Sequence, residues 1–83
     1  MPAKVLLKAT AAAELAATPP AERKALLAAI AGLEGEPVPL SAERLAARPL
    51  FRLRVGPHRL LWSVDEESAR AVVFGVRVDS PPS

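Results

Sequence analysis

The chain has no cysteine and no tyrosine, and only one histidine, one tryptophan and two phenylalanines among 83 residues. Without cysteine there is neither a disulfide framework nor a thiolate metal site. A single histidine among scattered carboxylates gives no metal-ligand spacing, so no metal is expected. No glycine-rich phosphate loop is present, and no nucleotide or other cofactor is expected. Long apolar runs are missing as well: none approaches the roughly 20 residues that span a bilayer. The opening "MPAKVLLKAT" holds too short an apolar run for a signal peptide. The expectation is a cytoplasmic protein with no membrane partner. Residues 1–83 make one domain, and a domain of this size buries only about 60% of its unfolded surface.

What is present is positive charge in one place. The net charge is only +2, yet from Arg44 to Val64 the chain carries Arg44, Arg48, Arg52, Arg54 and Arg59 and no acid. All three lysines lie within the first 24 residues. A local basic block is the footprint of an anion-binding surface, or the charged coat of a sheet face.

The hydrophobic spacing organises the chain. "AKVLLKA" (3–9) reads as a strand and "TAAAELAAT" (10–18) as a helix that Thr10 is placed to cap. Pro19 and Pro20 end that helix and can open the next, because a first-turn proline lacks only a donor that would be unpaired anyway. Leu26, Leu27, Ile30 and Leu33 then recur at helical spacing within 21–35, and Gly35 and Pro37 stop the helix. The two helices read as an antiparallel hairpin. Residues 36–49 form a connector in which Ser41 caps a single turn through Arg44.

From residue 50 the period changes to two. Phe51, Leu53 and Val55 alternate with Arg52 and Arg54, as in a half-buried strand. Gly56 and Pro57 make a tight turn. Beyond it, Leu60, Trp62 and Val64 share one face with His58, leaving Arg59, Leu61 and Ser63 on the other. After a polar turn at 65–68, Val72, Phe74, Val76 and Val78 are expected inward, with Val73, Gly75 and Arg77 outward. "DSPPS" (79–83) is a fraying end. The layout is α+β, in the order β-α-α-β-β-β. It is an antiparallel sheet with the helical hairpin on one face, and Arg52, Arg54, Arg59 and Arg77 project together from the other, wet face.

In this order the elements resemble the RelE/ParE superfamily of bacterial toxins from type II toxin–antitoxin pairs. The most specific stretch is "LFRLRVGPHRLLWSVDEESARAVVFGVR", and the resemblance runs from the first strand to Val78. It implies a cognate antitoxin whose C-terminal segment wraps the chain. A RelE-like member cleaves mRNA in the ribosome without a metal, the 2′-hydroxyl attacking the adjacent phosphate beside basic residues of the sheet. A ParE-like member inhibits DNA gyrase without cleaving RNA, and a degenerate member only binds its antitoxin. Read without the resemblance, the chain is a small basic nucleic-acid-binding domain.

The resemblance matches Arg52 and Arg54 to the basic pair of the first meander strand and Arg59 to the arginine opening the next. Cleavage needs a base, cations for the developing phosphorane charge, and an acid. Guanidinium groups supply the cations, contacting phosphate bidentately. Arginine stays protonated and makes a poor base. Arg77 keeps one cation near the end of the chain, but Val78 and Asp79 stand where the family carries histidine or arginine. His58 has the one side chain that ordinarily titrates near neutrality, and by strand parity it points to the core. Whether the chain is an enzyme is therefore open at this stage: it has the cations of an RNA endonuclease without its expected acid and base. Trp62 is assigned to the core rather than to base stacking.

Overall fold

The computed structural model describes residues 4–45, 50–65, 67, 68 and 70–78; Arg48, Asp79 and the "DSPPS" stretch lie outside them. The elements run β1 (Lys4–Leu7), α1 (Ala9–Ala16), α2 (Pro20–Gly32), β2 (Glu43–Arg44), β3 (Leu50–Val55), β4 (His58–Asp65) and β5 (Arg70–Val78). The α+β class and the helical pair agree with the sequence reading, while the sheet is richer. It has five strands in the order β1-β5-β4-β3-β2, and β1 lies parallel to β5, so the sheet is mixed. The connector supplies the extra strand. Ser41 closes a turn in which the Ala42 N–H donates to Pro39 O (2.9 Å). Instead of continuing a helix, Glu43 and Arg44 then extend and pair with Arg52 and Phe51.

Helix α1 starts earlier than expected, and without Thr10 as its cap. The Lys8 N–H still donates to Val73 O (2.9 Å), so the helix opens directly off the end of the β1–β5 ladder. This leaves Thr10 inside the first turn, where its hydroxyl donates to Phe74 O (3.2 Å). Arg23 ties the helices together by donating to Thr18 O (2.9 Å) and Ala16 O (3.4 Å). A cation thus meets carbonyls that a helix end leaves unpaired. Pro20 opens α2 at its first helical turn, as read from the sequence.

The helices cover one face of the sheet. Ala11 and Leu15 of α1 and Leu26 of α2, with Leu33 just past its end, meet Phe51, Leu60, Trp62, Val64, Ala71, Val73 and Val76 in one core. Leu27 is exposed, so the stripe that α2 buries is narrower than its leucines suggest. Trp62 is fully buried, stacks on Phe51 with ring centroids 5.9 Å apart, and donates its indole N–H to Pro37 O (2.8 Å). A buried indole is tolerated because that donor is satisfied.

The alternation expected for β5 fails at one point. Leu61 pairs with Gly75, but Trp62 pairs with Val73, which leaves Phe74 as an extra residue in a β-bulge. The bulge resets parity on its N-terminal side, so Ala71 and Val73 are buried while Val72 and Phe74 are half-buried; beyond it Val76 is buried as expected, and Val78 is exposed at the end of the strand. Gly75 suits the site, because a Cβ there would lie 3.3 Å from Leu61 Cδ1. At the β3–β4 turn, Gly56 takes a positive φ of 60°, which favours glycine.

Leu26 is the fully buried anchor of α2. Leu26→Ala is expected to lower unfolding stability by about 2–5 kcal/mol in urea titration. A loss below about 1 kcal/mol would show that α2 does not depend on this contact.

Candidate functional site

The open face of the sheet brings the arginines into lateral register. Arg54 on β3 lies directly opposite Arg59 on β4, and Arg59 lies directly opposite Arg77 on β5. Adjacent strands are about 4.8 Å apart, so three arginine backbone positions cross the sheet in one row within about 10 Å. Like charges facing each other across strands are destabilising, and such a row favours a bound anion.

Arg52, Arg54 and Arg59 line one open groove of about 340 Å³ together with Ser41, Ala42 and Glu43. Glu43 faces Arg52 across the β2–β3 ladder, and its Oε2 accepts from Arg52 Nε at 3.0 Å and also from Nη2. The hydrogen bond and charge of Arg52, reinforced by Arg59 and Arg54, hold the Glu43 carboxyl below its ordinary value. The other β2 residue, Arg44, places its guanidinium 5.9 Å from the Phe51 ring centroid. Sequence reasoning missed Glu43, because two residues of strand carry no periodicity.

Arg77 shares the row through its backbone but not the groove through its side chain. Its Nε lies 3.1 Å from Glu14 Oε2, and the other oxygen of Glu14 accepts from the Val76 N–H (3.1 Å). Glu14 thereby satisfies β5 past the point where β1 ends.

His58 is placed as parity predicts, away from Arg52, Arg54 and Arg59. It is buried, with Nε2 3.2 Å from Glu22 Oε2 of α2 and with Nδ1 lacking a partner. It lines a separate cleft of about 290 Å³ with Glu14, Thr18, Arg77 and their neighbours. Glu22 as its partner was not legible, since 36 residues separate the two. Among the described residues no group of three or more His, Cys, Asp or Glu side chains is placed to hold a metal ion. No helix among them is long and apolar enough to cross a membrane.

No protein-family model and no curated protein matches the chain. Solved structures match over nearly its whole length. A chain of the RelE–RelB complex from Pyrococcus horikoshii aligns at TM-score 0.85 with 22% identity, covering 99% of this chain and 100% of that one. A chain of the toxin–antitoxin complex RelBE2 from Mycobacterium tuberculosis aligns at 0.80 with 27% identity, covering 94% and 99%. The isolated RelE toxin of E. coli aligns at 0.86 with 13% identity, covering 98% and 88%.

Because the Glu43 pKa is lowered on folding, its contact with Arg52 is present at neutral pH and is lost as pH falls through that lowered value. A carbon-13 NMR titration of the Glu43 carboxyl should give a midpoint below 4.5 that returns toward 4.5 in Arg52→Ala. A midpoint at or above 4.5 in the wild-type protein would contradict the pairing.

Proposed function

We propose that the protein, whose fold matches that of solved RelE chains, is a RelE-superfamily toxin of a type II toxin–antitoxin pair. Its proposed activity is ribosome-dependent, metal-independent cleavage of mRNA at the arginine face. The observation that carries this reading is the groove on the open sheet face in which Arg52, Arg54 and Arg59 come together, with Arg54 and Arg59 directly opposite each other. In such a cleavage the 2′-oxygen bonds to phosphorus as its proton leaves, and the P–O5′ bond breaks as O5′ gains a proton. Negative charge builds on the phosphoryl oxygens between these events. Fixed guanidinium donors aimed at that charge lower the barrier, because they need no reorganisation when it forms. The chain's own part is to bind the phosphate, orient it and stabilise the phosphorane.

The proposed partners are the ribosome with its mRNA, and a cognate antitoxin. Support for the antitoxin comes from the RelE–RelB and RelBE2 complexes among the similar structures. An antitoxin segment that folds on binding and lays acidic side chains over the groove would neutralise the toxin by occlusion.

One observation favours a second reading. The chain's single histidine is turned under the helices and held by Glu22, so it stands apart from the groove. A toxin that grips its target without cutting it, as a gyrase inhibitor of ParE type or an antitoxin-binding homologue does, needs no acid or base there.

Purified protein added to translating ribosomes should yield cleaved mRNA. Arg54→Ala or Arg59→Ala should slow that cleavage on the order of a hundredfold while the fold is retained. Intact message at high protein excess would overturn the nuclease reading. Inhibition of gyrase supercoiling would then establish the second.

A further inference from the structure

The groove of arginines already holds an anion of its own. Glu43 is the one carboxylate among the described residues that line it. Its Oε2 accepts from both Nε and Nη2 of Arg52, the edge of the guanidinium that forks a phosphate. Taking the anion-binding part of the reading above as premise, we propose that Glu43 is a built-in phosphate surrogate. It occupies Arg52 at rest, and an incoming phosphate must displace it.

Three features fit Glu43 to that role. First, its position is set by the ladder: Glu43 lies directly opposite Arg52, so the side chains meet on the same face without a change of backbone. Second, the carboxylate is free to leave. The side chain of Glu43 is 60% exposed against 32% for Arg52, so it can rotate into water while Arg52 stays in the groove. The β2–β3 pairing, the Leu45 N–H to Leu50 O bond (2.8 Å) and Arg44 over the Phe51 ring tie β2 to the sheet without the Glu43 side chain, so the gate requires a side-chain rotation and no strand detachment. Third, the resting protein needs a counter-charge. Arg54 and Arg59, which face each other beside Arg52, also act on the Glu43 carboxylate, so it sits in the same positive field that an entering phosphate would meet.

The exchange of carboxylate for phosphate swaps one anion for another, so the charge balance of the groove survives it. Its consequence is selectivity. A lone phosphate must pay for displacing Glu43 with a single contact, whereas a strand that engages Arg54 and Arg59 together has contacts to spare. Glu43 thus discriminates against small anions and in favour of a polyanionic strand.

The test is titration with inorganic phosphate, read from the nitrogen-15 shifts of the arginine Nε–H groups. Glu43→Gln should bind phosphate about twofold to fivefold more tightly than wild type, the range set by the worth of a surface ion pair. That gain should vanish in an Arg52→Ala background, where there is nothing left to compete for. Glu34→Gln removes the same charge from an exposed position remote in sequence and should give no gain. Unchanged or weaker phosphate binding by Glu43→Gln would overturn the proposal, as would an equal gain in Glu34→Gln. Failure of both wild type and Glu43→Gln to bind phosphate would overturn it together with the anion-binding reading. Since neither RNA nor ribosome takes part, a gain in a protein that leaves mRNA intact upholds the gate and removes only the nuclease. No gain in a protein that still cleaves removes only the gate.

Discussion

The pairing of β3 with β4 about the Gly56–Pro57 turn decides both faces of the sheet at once. With Val55 opposite His58, every second pair downstream falls under the helices: Leu53 with Leu60, and Phe51 with Trp62. The pairs between them, Arg54 with Arg59 and Arg52 with Leu61, face the other way. A slip of one residue would bury the arginines and expose the aromatic stack, so the hydrophobic core itself enforces the register that builds the arginine row. Core and site are two readings of one alternation.

The row has an electrostatic cost, and the fold meets it from both flanks. On one side β2 brings Glu43 to Arg52; on the other α1 brings Glu14 to Arg77. Neither carboxylate belongs to the three-strand meander that carries the arginines. Glu14 also accepts the Val76 N–H, which gives it a structural task at the β5 edge, whereas Glu43 serves only the groove among the bonds described. The two ends of the row therefore differ in kind. Arg77 is tied to the scaffold, while Arg52 is held by a carboxylate that an entering phosphate can replace.

Local periodicity made much of this legible. The alternation in "FRLRV" and "HRLLWSV" placed Arg52, Arg54 and Arg59 together and sent His58 and Trp62 inward, because strand parity is a local property. Features that depend on distant partners were not legible. The bulge at Phe74 arises from how β5 meets β4, and it shifts the buried set from Val72 and Phe74 to Ala71 and Val73. The parallel β1–β5 pairing depends on the path of the chain around the helices. Glu43 sits in a proline-rich connector, and only its two-residue pairing with β3 reveals that it belongs to the site. Arg77 was counted with the groove because parity reports where a Cβ points and not where a long side chain ends.

The central claim is that Arg52, Arg54 and Arg59 grip phosphate in unison, and the salt dependence of RNA binding tests it most directly. For a short single-stranded oligoribonucleotide, the logarithm of affinity should fall against the logarithm of salt with a slope of about −0.7 per phosphate contact, or about −2 for three. Replacing the three arginines with glutamine should flatten that slope to near zero. A wild-type slope near zero, or one left unchanged by the triple replacement, would contradict the account.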